Sequence, residues 1–285
     1  MPQVPDVVLN DGNKMPRMGM GFWRVDDRDV PRVLRDAVAA GYRSLDTAAF
    51  YGNEAGLGQG VAVAGVEREE LFITSKLWND DHGYDKALHA FDNGMERLGL
   101  EYIDLYLIHW PVPSRDKYVD TWKALIKLRE EGRVRSIGVS NFLEHHLKRL
   151  IDATGVVPAV NQMEYHPYFK RPELLGFCRD AGIVSEAWAP LGRGEAMDEP
   201  AIVSLAGKYG KTPAQIILRW LLDNGLSVIP KTVTPARMRE NIAVFDFHLE
   251  ESEVATLNAL QNSNRIGGDP DTFTGPAPAA APSEG

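Results

Sequence analysis

Cysteine is almost absent from this chain. Cys178 stands alone, so no disulfide can form within it. It lies in the helix-like stretch Pro172-Glu173-Leu174-Leu175-Gly176-Phe177-Cys178, with no base beside it, and reads as a buried structural thiol. Long apolar runs are also missing. No stretch of about 18 apolar residues occurs, and no basic segment leads into an apolar core near the start, so a cytoplasmic protein is expected. Positive charge is in the minority: 31 Lys and Arg stand against 40 Asp and Glu, a net charge of −9. Such a body suits neither nucleic acid nor anionic membrane as a main partner. A phosphate-bearing ligand would have to meet a local cluster of cations.

What remains is ordinary globular composition, 44% hydrophobic and 25% charged over 285 residues. After a short hairpin across Asp11-Gly12-Asn13, strand-like runs appear near 18–20, 43–46, 71–76, 104–109, 134–139, 158–162, 183–187 and 226–229. Amphipathic stretches lie between them near 28–40, 53–64, 84–98, 117–131, 143–152, 171–181, 199–223 and 235–244, with a last one at 250–260. Eight strand–helix alternations with continuous apolar strands predict an α/β fold, a (β/α)8 TIM barrel with an N-terminal β-hairpin. The expected domain is 1–274, with a Pro/Ala-rich tail at 275–285 too apolar-poor to order itself. Residues 264–273 are expected to fold as a loop over one end of the barrel.

Proton-handling residues fall at the ends of three consecutive runs: Asp46 with Tyr51, then Lys76, then His109. A parallel barrel gathers such positions at one face. A phenol is a weak acid at neutral pH, and a nearby ammonium favours its phenolate. Lys76 can supply that ammonium, Asp46 can hold it, and His109 can donate a hydrogen bond to a substrate oxygen. Taken singly, each residue has an ordinary structural account; their joint placement points to protonation of a carbonyl oxygen.

A second cluster follows the eighth strand, in Ile229-Pro230-Lys231-Thr232-Val233-Thr234-Pro235-Ala236-Arg237-Met238-Arg239-Glu240-Asn241. Thr234 and Pro235 mark a helix start whose free amides suit an anion, with Lys231 and Arg237 adding charge. Gly56-Leu57-Gly58-Gln59-Gly60 lacks dinucleotide-loop spacing and reads as close helix packing. A catalytic metal is not expected: there is no His-x-His pair, and adjacent His145 and His146 should diverge on a helix.

Three stretches carry a family resemblance. They are residues 41–58, with Gly41-Tyr42-Arg43-Ser44-Leu45-Asp46-Thr47-Ala48 and Tyr51-Gly52-Asn53-Glu54, then Ile137-Gly138-Val139-Ser140-Asn141-Phe142, then residues 229–241. With them the chain resembles the aldo-keto reductases over about residues 5–274. It looks most like the bacterial 2,5-diketo-D-gluconic acid reductase group, through Leu77-Trp78-Asn79-Asp80, Val157-Pro158-Ala159-Val160-Asn161-Gln162 and Ala187-Trp188-Ala189-Pro190-Leu191-Gly192. The resemblance implies an NADPH-dependent oxidoreductase that reduces aldehydes and ketones, such as small dicarbonyls or keto-sugar acids. Tyr51 would be the general acid, with Asp46, Lys76 and His109 completing a tetrad.

Ser140, Asn141 and Gln162 would meet the nicotinamide carboxamide, Trp188 would stack on its ring, and Leu191 and Gly192 would follow the pyrophosphate. Lys231, Thr232 and Arg237, flanked by Ile229 and Val233, would hold the 2′-phosphate, with Glu240 and Asn241 near the adenine. Trp188 and Thr232 stand where many members have Tyr and Ser; both changes keep the stacking ring or the hydroxyl. Trp23, Phe50, Trp78 and Trp110 are expected to wall the substrate pocket, with Phe22 and Phe273 as further candidates and Trp110 foremost, because it follows His109. The expected partner is a small carbonyl compound, and the expected state a monomer. The rival from another class is a barrel that senses NADPH without needing turnover.

Overall fold

The N-terminal hairpin pairs β1 (Asp6–Val8) with β2 (Lys14–Pro16) in antiparallel register. Its turn returns through Gly12 at φ +89°, a conformation that glycine adopts without steric cost. Leu9 and Met15 point from it into the barrel floor, buried with Leu105, Leu107 and Val160. One end of the barrel is thereby plugged with apolar side chains, which leaves the other for polar groups. The computed structural model describes residues 4–261 and 264–275.

Eight parallel strands follow in chain order: β3 (Gly19–Gly21), β4 (Ser44–Asp46), β5 (Phe72–Leu77), β6 (Ile103–Ile108), β7 (Val134–Ser140), β8 (Val160–Glu164), β9 (Val184–Trp188) and β10 (Ser227–Val228). A parallel bridge between Met18 and Val228 brings the two sheet edges together. This is the expected (β/α)8 barrel. The strands are nearly continuous apolar runs because barrel contents cover one face and helices the other.

The helices are α1 (Val30–Ala40), α2 (Glu54–Ala62), α3 (Tyr84–Leu98), α4 (Tyr118–Glu130), α5 (Glu144–Thr154), α6 (Pro172–Asp180), α7 (Pro200–Tyr209), α8 (Pro213–Asp223), α9 (Pro235–Ile242) and α10 (Glu251–Asn258). The sequence pattern at 199–223 reads as one amphipathic stretch, and the structure divides it into α7 and α8. The cause is local. Gly210 takes the left-handed conformation, and Thr212 caps α8 through a reciprocal pair with Gln215, with Pro213 in the first turn. Gly56 and Gly58 are packing residues, as expected: a Cβ would lie 2.0 Å from the Asp27 carbonyl oxygen and 1.8 Å from that of Leu98. Cys178 is fully buried.

Residues 264–275 cross the open end. Ile266 and Gly267 donate their amides to Glu164 at 2.5 and 2.8 Å. Phe273 packs on Trp110 with ring centroids 4.2 Å apart, and Asn79 Nδ2 donates to the Thr274 carbonyl at 3.1 Å. The tail expected to be disordered lies, after Gly275, outside the described residues. Among the described residues, no helix is long and apolar enough to cross a membrane.

Candidate active site

Asp46 ends β4, Lys76 is the penultimate residue of β5, and His109 follows β6, so all three reach the end opposite the hairpin. Tyr51 closes a 3-10 turn (Ala49–Tyr51) just beyond Asp46. The structure thus brings these four residues together at one end of the barrel. Lys76 Nζ lies 2.5 Å from Asp46 Oδ1, 3.4 Å from the Tyr51 hydroxyl and 3.0 Å from the Thr47 carbonyl, to which it also donates. Lys76 is wholly buried and Asp46 nearly so. An ammonium in that position would be costly without its carboxylate.

Electrostatics adjust one expectation. Burial pushes the Tyr51 phenol up and outweighs Lys76, which pulls it down, while Asp46 adds to the rise. The phenol thus stays protonated at neutral pH, and the Lys76 ammonium beside it favours its phenolate form. Burial by itself would lower Lys76, but Asp46 and Tyr51 reverse this and hold it charged. His109 is driven well below the usual histidine range by burial and then by Lys76, so it is a neutral imidazole. Its ring stands edge-on to Tyr51 with centroids 5.7 Å apart, and among the described residues its buried Nδ1 has no partner.

A polar web lies beside the tetrad. Gln162 Nε2 donates to Asp46 at 2.9 Å and to Glu186 at 2.7 Å. Ser140 Oγ donates to the Gln162 carbonyl, while Asn141 Nδ2 donates to the His109 carbonyl at 3.0 Å. Asn141 is in the left-handed region at φ +64°, which Asn tolerates, and its Oδ1 accepts from Trp188 Nε1 at 2.8 Å. One asparagine thus ties the Trp188 ring to the strand end that bears His109. Leu191 and Gly192 follow in a loop where Ala189, Gly192, Arg193 and Gly194 all have positive φ. A Cβ on Gly192 would meet the His166 ring at 3.1 Å.

The residues expected to hold the phosphate follow β10 and run into α9. Thr232 Oγ1 accepts from the Thr234 amide at 3.2 Å, and α9 begins at Pro235. Lys231 and Arg237 are exposed and, among the described residues, neither makes an ion pair or hydrogen bond. Val233 is exposed and Ile229 buried. Glu240 accepts from Thr212 Oγ1 at 2.8 Å, so its carboxylate is occupied within the fold, and Asn241 is buried.

The pocket aromatics separate into two groups. Trp23, Phe50 and Trp78 form a stack at the mouth, with centroids 5.8 Å apart for Trp23 and Phe50 and 3.9 Å for Phe50 and Trp78. Trp23 also meets Tyr51, and Trp78 meets His109. Trp110 is instead buried beneath Phe273. Phe22 does not wall the pocket: it is fully buried, and its carbonyl accepts from Asn53.

The adjacent histidines correct another expectation. His145 and His146 do converge, with Nε2 atoms 3.0 and 3.3 Å from Asp271 Oδ1. The crossing loop brings the carboxylate to them, which helical geometry alone could not foretell. Yet His146 Nδ1 accepts from the Leu143 amide, so the neutral ring carries its proton on Nε2 and offers no lone pair there. The cluster is a loop fastening.

The sequence profile of the Aldo/keto reductase family matches residues 16–262. The chain belongs to the aldo/keto reductase family. Methylglyoxal reductase DkgA of Escherichia coli is 50% identical over 274 residues, 95% of this chain and 99% of that protein. Among solved structures, a point mutant of Gox0644 in complex with NADPH superposes with a TM-score of 0.90 at 44% identity, covering 94% of this chain and 98% of the other. A Bombyx mori aldo-keto reductase in complex with NADP gives 0.88 at 39%, covering 93% and 95%. For this aldo/keto reductase, three contributors went unnoticed in the sequence: Thr47, which acts through its carbonyl, Glu164, which anchors the crossing loop, and Glu186. Two carry a signal: Glu186 is a carboxylate at mid-strand in Val-Ser-Glu-Ala-Trp, and Glu164 is a carboxylate at the end of β8.

Proposed function

We propose that this chain, with residues 1–274 as one domain, is an NADPH-dependent reductase of small dicarbonyls and keto-sugar acids, with Tyr51 as general acid. The observation that carries the reading is Lys76 Nζ, held between Asp46 and the Tyr51 hydroxyl beneath the Trp23–Phe50–Trp78 mouth. A carbonyl oxygen at that mouth receives the Tyr51 proton. Lys76 stabilises the phenolate that forms, and neutral His109 steadies the same oxygen as a hydrogen-bond donor.

The residues fit a nicotinamide nucleotide. Trp188 is half-buried, with its indole N–H already committed to Asn141, so one ring face is fixed for stacking. Lys231 and Arg237, without ion pairs among the described residues, stand at a helix start in a chain whose net charge is −9, the local exception that a phosphate requires. When bound, NADPH supplies the hydride that reaches the carbonyl carbon. The Escherichia coli relative is named for methylglyoxal, a small dicarbonyl, which supports that substrate class.

The test is titration of the protein with NADPH and NADH, followed by quenching of tryptophan fluorescence, and then turnover with methylglyoxal and 2,5-diketo-gluconate. Quenching with NADPH preference and turnover of either compound is the expected result. Absence of binding by both nucleotides overturns the reading, and binding without reduction of either compound overturns the substrate class.

A further inference from the structure

Glu186 is a second carboxylate buried at the heart of the barrel. It sits mid-strand on β9, in register with Gln162 of β8, and is 3% exposed. Asp46 already balances Lys76. Among the described residues no Lys, Arg or His forms an ion pair with Glu186, so its burial has no cation of its own to offset it. The charged groups that act on it are Asp46 from β4 and Lys76 from β5; on its other side β10 contributes only Ser227 and Val228. Burial and the Asp46 charge push its carboxyl up to about 7, against the pull of Gln162 and Lys76. Such a group is expensive to keep, and among the described residues its side chain hydrogen-bonds to the Gln162 amide, at 2.7 Å.

An amide nitrogen has two hydrogens. In Gln162 one is taken by Asp46 and the other by Glu186. Two carboxylates around one amide forbid the flipped arrangement, which would aim the amide oxygen at them. We propose that Glu186 is a positioning residue: it locks the Gln162 amide so that only its oxygen is left to meet a ligand, as acceptor for the N–H of the nicotinamide carboxamide. This rests on the reading above that Gln162 meets the nicotinamide. Among the described residues nothing donates to Gln162 Oε1, which leaves it available. Either protonation state of Glu186 keeps an oxygen that can accept, so the lock holds across neutral pH.

The test compares the Kd of NADPH with that of its reduced 3-acetylpyridine analogue, whose methyl ketone lacks the amide N–H. Both are followed by tryptophan quenching, with folding checked by circular dichroism. Loss of one neutral hydrogen bond should make wild type favour NADPH by about fivefold. Glu186→Gln retains an acceptor and should keep that ratio. Glu186→Ala frees the second amide hydrogen and should bring the ratio towards one, as should Gln162→Ala. If Glu186→Ala does not fold, Glu186→Met, similar in length and without an acceptor, takes its place. A wild-type ratio in the folded Glu186 variant, alongside a lost ratio in Gln162→Ala, overturns the positioning role and spares the Gln162 reading. A ratio unchanged in Gln162→Ala, or absent from wild type, overturns both.

Discussion

Lys76 Nζ and Asp46 Oδ1 lie 2.5 Å apart, with neither side chain more than 3% exposed. A buried pair of this kind is weak evidence of stability, because each ion lost its water to enter. Its value is positional. It sets an ammonium beside the one phenol that closes the mouth.

Removing one member should be worse than removing both. Lys76→Met leaves Asp46 buried and uncompensated and should destabilise the fold by about 3–5 kcal/mol. The double variant Lys76→Met with Asp46→Asn should recover part of that loss. Urea unfolding of the wild type, both single variants and the double variant measures it. Additive losses would mean that the two side chains do not form an energetic pair.

Tyr51→Phe keeps the ring packed against Trp23 and removes the hydroxyl, with its proton and the oxygen to which Lys76 donates. Turnover should fall about 10²–10⁴-fold. NADPH affinity should stay nearly unchanged, since among the described residues Tyr51 makes no hydrogen bond to the proposed nucleotide side chains. Steady-state kinetics together with a fluorescence Kd decide it, and near-normal kcat would remove Tyr51 from the acid role.

Lys231→Met and Arg237→Ala should each weaken NADPH by about 1.5–3 kcal/mol, the worth of a hydrogen bond to a charged group, and leave NADH almost unchanged. Parallel titrations with the two nucleotides read this directly. Equal losses for both would move the 2′-phosphate away from the β10–α9 junction.

Acid should destabilise the fold in a defined window. Burial, then Arg115, lowers His82 to about 4, and burial, then His145, lowers His146 to about 4. Both are therefore neutral when folded, whereas the unfolded chain takes up protons below about 6.5. Between about pH 6.5 and 4 the unfolded state binds more protons, so stability drops as pH falls, at up to about 1.4 kcal/mol per unit for each histidine. Both ring nitrogens of His82 are buried and, among the described residues, have no partner. His82→Leu should accordingly give a shallower Tm-against-pH curve over that window, and an unchanged slope would show that His82 does not titrate there.

Much of this site was legible because a parallel barrel converts linear position into spatial position. A residue at the end of one apolar run must lie near residues at the ends of the neighbouring runs, so the sequence alone groups Asp46, Lys76 and His109. The cation cluster was legible for a similar reason: Thr234-Pro235 is a local helix signal, and Lys231 and Arg237 flank it. Glu186 was harder, since a lone carboxylate in a strand has no periodic partner, and its meaning lies in Gln162 on the adjacent strand. Phe22 and Trp110 look alike in sequence to Trp23 and Trp78, yet the first pair is buried and the second lines the mouth.

By itself, then, the sequence determined the alternation, the strand-end chemistry and the family, because these depend on short-range patterning and on motifs several residues long. Only the tertiary structure decided which ionisations survive burial, how one amide is shared between two carboxylates, and how Asp271 in the crossing loop reaches His145 and His146. Those outcomes depend on desolvation and on contacts between segments far apart in the chain, and no local pattern of residues encodes either.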